Sequence, residues 1–227
     1  MSESGSDHSL LRNREDAGTQ LATALAPLLA QVRPNDLVVL GLARGGVPVA
    51  FEIARCFGGT LDACSIRKIC VPGRPELAIG AVGPGRNRTL NTSLIRDLRL
   101  APVTIRRLSS RAADERDRID NALRDRRALT SLKGKVVVLA DDGLATGASM
   151  RAALAAAAKQ HPQRIIIAVP VAPPEVIDEF RSQGIDAVAL IEPLNFRAVG
   201  NWYHDFAPVT VATVRRLLTT RSTHSNR

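Results

Sequence analysis

The second half of the chain alternates short apolar segments with segments of helical period, and this alternation is the strongest constraint on its fold. Apolar runs at residues 135–140, 164–171 and 186–191 are separated by helical patterns at 148–160 and 174–183. Strands joined by helices of this length pair in parallel through right-handed crossovers. The pattern therefore predicts an open parallel sheet, in which a ligand binds beyond the carboxyl ends of the strands.

The first half continues the same pattern. It predicts a helix over 14–31, a strand over 37–43, a helix over 47–57 and a strand over 61–67. Hydrophobic residues make up 45% of the chain but aromatics only 3%, so the core must be aliphatic, as in a sheet covered by helices on both faces. We expect an α/β domain over 13–219, with a mostly parallel sheet, a small hood or appendage, and flexible ends at 1–12 and 220–227.

The formal net charge of +9 has two interpretations, a nucleic-acid or membrane surface or a site for a multiply charged anion. Binding of single-stranded nucleic acid uses interleaved aromatics, and the chain has one Trp and one Tyr. The arginines are also dispersed along the sequence. These observations favour an anionic substrate over nucleic acid or a membrane.

Three features indicate a cytoplasmic protein. Residues 1–9 are polar, and no apolar run approaches the 18 residues of a membrane span. The three cysteines are odd in number and form no CxxC pair, which is typical of buried thiols in a reducing compartment.

An acidic pair follows the apolar run that ends at Ala140. Asp141 and Asp142 need hydroxyl or cationic partners, because a carboxylate is costly to bury alone. The following GLATGAS segment supplies hydroxyls at Thr146 and Ser149 and the amides of a helix N-terminus, which bind phosphate. Together the two parts fit a ribose 5-phosphate. The alternative is a helix capped by Thr146 beside a solvated acidic pair.

A second loop follows the strand predicted over 37–43. Arg44 offers a fork of donors to phosphate oxygens, and Gly45 and Gly46 let backbone amides approach an anion. Alone this loop is a weak signal, because glycines that open a helix are common. Beside the acidic loop it indicates an anion site.

Two further segments are rich in cations. Residues 68–90 contain three prolines and four glycines, which predicts a long, mobile loop of functional importance; Arg67, Lys68 and Arg74 lie at its start. The helix predicted over 103–129 carries eight arginines among five acids, which favours a solvated, salt-laced face.

These segments resemble the type I phosphoribosyltransferases, which use 5-phosphoribosyl-1-pyrophosphate (PRPP). The segment VVVLADDGLATGAS resembles the PRPP motif of that family, GLARGGVPVA its pyrophosphate loop, and residues 68–90 its mobile catalytic loop. A subgroup from bacteria and archaea has patterns similar to RGGVPVA, RKIxxPGxPELAIGA, DDGLATGASMRAA and FRAVGxWYxDF, over about residues 12–218. Ala43 replaces a usual Pro, which leaves open whether a strained peptide bond is kept, and Ser149 replaces a usual Thr.

The resemblance implies transfer of the phosphoribosyl group from PRPP to a nitrogenous acceptor, such as a nucleobase, with release of pyrophosphate. It implies Mg²⁺ held through PRPP and water, with no direct metal ligand, and a homodimer. The implied ribose ligands are Asp141 and Asp142, and the implied 5′-phosphate ligands are Ala145, Thr146, Gly147, Ala148 and Ser149. The implied pyrophosphate ligands are Arg44, Gly45, Gly46, Arg67 and Lys68. Arg44, Lys68 and Glu76 are the implied catalytic residues, with Glu76 either the proton acceptor or a surface acid.

The acceptor is constrained less well. Transferases for 6-oxopurines usually have Asp where this chain has Ala145, which disfavours hypoxanthine and guanine. Residues 192–206 could form a hood, with Phe196, Trp202 and Tyr203 stacking on the acceptor, or these aromatics could pack the C-terminal helix onto the sheet.

Two rival functions differ in class. One is a non-catalytic sensor of PRPP or nucleotide, or a nucleic-acid-binding regulator that uses the arginine-rich helix. The other is a generic nucleotide-binding α/β protein, for which the chain lacks the GxxxxGK[ST] and GxGxxG patterns.

Overall fold

A computed structural model describes residues 10–124 and 129–220 of the chain, apart from the side chains of residues 75 and 76. The described strands are β1 (Leu37–Leu42), β2 (Thr60–Cys64), β3 (Arg67–Val71), β4 (Arg74–Val82), β5 (Arg88–Leu90), β6 (Val136–Ala140), β7 (Arg164–Val171) and β8 (Asp186–Ile191). The helices are α1 (Arg14–Leu29), α2 (Gly46–Phe57), α3 (Thr92–Asp97), α4 (Pro102–Arg124), α5 (Ala148–Ala158), α6 (Pro174–Ser182) and α7 (Val211–Thr219). Short 3-10 turns lie at Pro34–Asp36, Pro84–Arg86 and Val199–Trp202.

Five strands form a parallel sheet in the order β2-β1-β6-β7-β8. From β1 the chain crosses to β2 on one side, whereas β7 and β8 follow β6 on the other. The order therefore reverses between β1 and β6, where Gly41 pairs with Ala140. In open α/β sheets the ligand crevice lies outside the carboxyl ends of the strands at such a reversal.

Helices cover both faces of this sheet. Val39 and Val138 face α1 and α2, while Leu139 and Ile167 face α5 and α6. Every residue of β1 and β6 is buried, which explains why these strands are continuous apolar runs in the sequence. The predicted α/β class is confirmed, and β7 and β8 occupy the predicted residues.

Residues 68–90 do not form a loop, and that expectation is wrong. They belong to a second sheet of three antiparallel strands, β3-β4-β5, which packs against α4 through Ile69, Ile79 and Ala112. Gly80 is needed for the β4–β5 pairing, since a Cβ there would lie 2.2 Å from the Thr89 carbonyl oxygen. In residues 68–90, proline and glycine therefore occur at turns and at points where neighbouring strands approach closely, rather than in a loop. The mobility of the segment stays a prediction.

The arginine-rich helix α4 differs from expectation on its inner face. Arg106, Arg107 and Arg118 are exposed, as predicted for a solvated face. Arg116 and Arg124, however, are only 6% and 5% exposed. The predicted continuation of this helix falls partly on residues 125–128, which lie outside the described residues.

Arg124 is the centre of a buried charge cluster that joins α4 to the parallel sheet. Its guanidinium binds the carboxylates of Asp62 on β2 and Asp120 on α4, and it donates to the Ala63 carbonyl oxygen. The Thr130 amide donates to Asp62 Oδ2 over 3.0 Å. The cluster fixes the position of the small sheet relative to β2, because α4 packs on both.

The chain ends were expected to be flexible over 1–12 and 220–227, and both segments lie mostly outside the described residues. Leu11, however, is 2% exposed and its amide donates to the Trp202 carbonyl oxygen. The ordered region therefore starts before Asn13. Within the described ranges, no helix is both long and apolar enough to cross a membrane.

Candidate functional site

The two glycine-containing loops predicted to bind anions lie in direct contact. A Cβ at Gly45 would fall 2.0 Å from Asp142 Oδ2, and one at Gly46 would fall 2.5 Å from the Ala140 carbonyl oxygen and 2.7 Å from Asp141 Cα. No side chain fits at either position. The loop after β1 and the loop after β6 therefore form one continuous surface at the reversal of the sheet.

The two aspartates of the acidic pair, Asp141 and Asp142, lie in different environments. The Asp142 amide donates to Asp141 Oδ1 over 2.9 Å, so the two carboxylates are held side by side. Burial, and then the adjacent Asp142 charge, raise the pKa of Asp141 well above its usual value. Of the two, Asp142 is the one that pairs directly with a cation.

That cation is Arg14, which sequence reasoning missed. Arg14 Nε donates to Asp142 Oδ2 over 2.8 Å, and its Nη2 lies 2.8 Å from the same oxygen. The two residues are 128 positions apart, so no local pattern connects them. One local signal existed: Arg14 is the first residue of α1, where the helix dipole disfavours a cation.

The segment 192–206 lies beside the acidic loop. Tyr203 Oη donates to the Asp142 carbonyl oxygen over 2.7 Å, and Val199 lies where a Cβ on Gly143 would be. Tyr203 is 6% exposed and packs in a cluster with Leu11 and Ile191 that contains no residue of α7. It therefore does not join the C-terminal helix to the sheet as the packing alternative predicted. Phe196 and Trp202 are half-buried against the same cluster, and their contact with an acceptor stays a prediction.

The predicted phosphate cradle is the turn into α5. Gly147 adopts a left-handed φ of 69° and precedes the first helical residue, Ala148, without a side-chain cap. Thr146 therefore does not cap this helix, and its hydroxyl remains exposed with the loop. The first amides of an α-helix lack partners within the helix, so they are available to an anion here. Arg151 closes the turn by donating to the Thr146 carbonyl oxygen over 2.6 Å.

A groove of about 600 Å³ connects this turn to the small sheet. Ser149, Arg67 and Lys68 line it on one side and α4 on the other. Arg67 is paired with Glu115 over 2.9 Å, whereas Lys68 is exposed and makes no ion pair with a described residue. Of the two predicted pyrophosphate cations on β3, Lys68 is thus the one whose charge is not already compensated.

The remaining predicted residues are placed as follows. Arg44 is exposed at the end of β1, and the Ala43–Arg44 peptide bond is cis, which answers the question raised by Ala43 in the sequence. Glu76 lies in β4, but its side chain is outside the described residues. Ala145 is exposed in the phosphate turn.

The sequence profile of the phosphoribosyl transferase domain matches residues 16–186, which include both loops and the whole parallel sheet as far as the start of β8. The chain belongs to this family. Arg14 and segment 192–206 of this phosphoribosyl transferase domain lie outside the matched residues, although both contact Asp142.

Full-length relatives support the same conclusion. Two curated proteins of Mycobacterium tuberculosis, MT0597 and Rv0571c, provisionally named phosphoribosyl transferases, are each 38% identical to the chain over 197 residues. The alignment covers 87% of the chain but 44% of each relative, so the chain spans less than half of their length.

One solved structure is similar over nearly its whole length. The crystal structure of TT1426 from Thermus thermophilus shares 42% sequence identity with the chain and superposes with a TM-score of 0.79. The superposition covers 92% of this chain and 97% of that one. The chain thus shares the overall fold of a protein whose structure has been solved experimentally.

Proposed function

We propose that the chain is a PRPP-dependent phosphoribosyltransferase that transfers the 5-phosphoribosyl group to a nitrogenous acceptor and releases pyrophosphate. One observation carries the proposal: the loop with Gly45 and Gly46 touches the acidic pair at the reversal of the sheet, directly before a helix N-terminus. Acceptors for hydroxyls and donors for anions therefore lie on adjoining loops, as a ribose 5-phosphate with a pyrophosphate at C1 requires.

The acidic loop would hold the ribose. Asp141 and Asp142 follow β6 without a residue between them, and their carboxylates can accept bonds from the two ring hydroxyls. Arg14 pairs directly with Asp142 alone, so the negative charge of the Asp141 carboxylate is poorly compensated until a hydroxyl donates to it.

The turn into α5 would hold the 5′-phosphate. Its backbone amides and the dipole of α5 favour an anion, and the hydroxyls of Thr146 and Ser149 add donors. The left-handed Gly147 brings the backbone close to the phosphate without a side chain in between.

Arg44 and Lys68 would stabilise the departing pyrophosphate from opposite sides, one from the end of β1 and the other from β3. As the bond between C1 and the pyrophosphate oxygen lengthens, positive charge develops on the sugar and negative charge on the leaving group. Fixed cations lower the energy of that state without reorganisation. β3 of the small sheet lines the groove, and from there the sheet would also limit the access of water to the reactive sugar.

The donor set fits a Mg²⁺ that is carried by the substrate. Asp142 Oδ2 already accepts two bonds from Arg14, and within the described residues no group of three His, Cys, Asp or Glu side chains is placed to ligate a metal. Phosphate oxygens and water are the ligands that Mg²⁺ prefers in such sites. When bound, the ion would neutralise part of the pyrophosphate charge.

The acceptor in this proposal is a nitrogen nucleophile other than a 6-oxopurine. The methyl group of Ala145, exposed in the phosphate turn, cannot exchange a proton with a base. Glu76 is the proposed proton acceptor, since it belongs to β4, which pairs with the strand that carries Lys68.

The test is pyrophosphate release from PRPP and Mg²⁺ across a panel of nucleobases and small amines. The wild type should release pyrophosphate with at least one acceptor, and Asp142→Asn should lose PRPP affinity. Asp178→Asn, an exposed aspartate on α6, is the matched control and should match the wild type. If no acceptor reacts and the wild type binds PRPP no better than Asp142→Asn, the proposal is wrong.

Binding of PRPP without turnover on any acceptor would instead favour the non-catalytic sensor. A titration with RNA and DNA at several salt concentrations separates the regulator from both, because phosphate contacts weaken steeply with salt. Light scattering of the same preparation tests the expected homodimer.

A further inference from the structure

Arg14 is a buried cation in an unfavourable local position. It is 8% exposed and begins α1, where the positive end of the helix dipole opposes a positive side chain. A buried charge persists only with good partners. The contacts that Arg14 makes with other residues, rather than the stability of α1, therefore explain why this position is an arginine.

The contacts of Arg14 divide between the acidic loop and the segment after the 3-10 turn. Nε and Nη2 both point at Asp142 Oδ2, and Nη1 donates to the Ala207 carbonyl oxygen over 2.8 Å. The Phe206 ring lies against the guanidinium, with its centroid 3.9 Å from Cζ. The planar group is therefore bonded at its edge and covered on one face, an arrangement that lysine cannot reproduce.

Asp142 is held by three separate contacts. Arg14 takes Oδ2, Tyr203 Oη donates to the backbone carbonyl, and Gly45 lies against the carboxylate where any Cβ would collide. Arg14 bonds only to Oδ2, and the Asp141 carboxyl lies beside that of Asp142. The carboxylate is thus fixed in one orientation in which Arg14 does not occupy Oδ1.

We propose that Arg14 is a positioning residue of the ribose site, which orients Asp142 so that Oδ1 receives a sugar hydroxyl, and which couples residues 203–207 to that site. This inference rests on the proposed function and deepens it. Arg14 lies just before the residues matched by the family profile.

The first test measures binding by calorimetry with Arg14→Gln. The ligands are ribose 5-phosphate, its 2-deoxy and 3-deoxy forms, and inorganic pyrophosphate with Mg²⁺. We expect the affinity for ribose 5-phosphate to fall about tenfold, the equivalent of about 1.4 kcal/mol, and the affinity for pyrophosphate to be unchanged. The wild type should distinguish ribose 5-phosphate from at least one deoxy form, and Arg14→Gln should not.

Arg12→Gln is the matched control. Arg12 is two positions away, its side chain is 80% exposed, and it pairs with Asp16 at the surface. It should bind all four ligands as the wild type does. Arg14→Lys keeps the charge but not the fork of donors, so it should bind pyrophosphate as the wild type does and should still lack the preference for the ribose hydroxyl.

Phe206→Leu tests the coupling of residues 203–207 to the ribose site with Arg14 intact. It also provides a test of the inference if Arg14→Gln does not fold. It should weaken ribose 5-phosphate binding by about threefold and leave pyrophosphate binding unchanged. An equal loss for all ligands in Arg14→Gln and Phe206→Leu, or no loss for any, overturns the inference while the proposed function stands. If the wild type binds neither PRPP nor ribose 5-phosphate, the proposed function itself is overturned.

Discussion

The two sheets of this molecule differ in almost every physical respect. β1 and β6 of the parallel sheet contain no charged residue and are fully buried. Residues 65–111, which contain the antiparallel sheet, have ten Lys and Arg against two acids, nearly all of the net charge of +9. The parallel sheet is a rigid apolar support that presents its polar loops at one edge. The small sheet has a thin core and adds cations such as Lys68, so most of the net positive charge lies in a different part of the fold from the two-loop site.

The largest effect should follow from breaking the link between the sheets. Arg124→Met leaves the carboxylates of Asp62 and Asp120 buried without their cation. We expect the free energy of unfolding, measured with urea, to fall by about 3–5 kcal/mol. Arg118→Met, on the exposed face of the same helix, should change it by less than about 0.5 kcal/mol. A small loss in Arg124→Met would mean that the cluster does not hold the sheets together.

A second prediction concerns the contact between the two loops of the parallel sheet. Gly46→Ala places a Cβ 2.5 Å from a backbone oxygen, which only a shift of one loop can relieve. PRPP affinity should fall about a hundredfold, or about 2.7 kcal/mol. Gly134→Asn is the control, since nothing lies within 4 Å of a Cβ there and Asn tolerates its left-handed φ. Unchanged affinity in Gly46→Ala would argue against a rigid two-loop site.

The third prediction isolates the contribution of the small sheet. Lys68→Ala should lower the single-turnover rate of pyrophosphate release about tenfold, with little change in the free energy of unfolding, because Lys68 is exposed. Arg88→Ala removes a charge from β5 of the same sheet, at a position that does not line the groove. Equal losses in both variants would show that overall charge, rather than the position of Lys68, governs the rate.

The last prediction concerns a substitution in the parallel sheet's acidic loop that should raise, rather than lower, the stability of the fold. Because burial raises the pKa of Asp141, its contribution to stability is present below the ordinary carboxyl range and is lost as the pH rises through its native pKa. The groups that face it are Asp142, Arg14 and Tyr203. Asp141→Asn should therefore be more stable than the wild type at pH 7, and the difference should shrink below about pH 4. Thermal melts at several pH values would show this, and a constant difference would contradict it.

The parallel sheet could be predicted from the sequence because each of its strands is identified by a short apolar run of its own residues. β7 and β8 are apolar runs between helices, and the acidic loop follows an uninterrupted strand. Both anion loops were therefore placed at the correct edge of the sheet. Their contact follows from the pairing of β1 with β6, which no local pattern in the sequence predicts.

The small sheet and the buried charges could not be predicted for the opposite reason. β3, β4 and β5 contain arginines, prolines and glycines that are typical of loops, and their pairing depends on close contacts such as that of Gly80 with Thr89. Arg124 and Asp120 have the spacing of an exposed helical ion pair, and only Asp62, 62 positions away, makes them interior. Arg14 and Asp142 are separated even further.

The contact of Arg14 with Ala207 spans 193 positions of the chain, and it has a consequence for biosynthesis. The acidic loop can form once β1 and β6 have paired, but its final support arrives only when residues 203–207 have left the ribosome. A nascent chain therefore completes its parallel sheet before its binding site. Contacts of such long range also slow folding. A ligand that binds only the finished site would stabilise chains that extend past residue 207 and would leave shorter chains exposed to proteolysis.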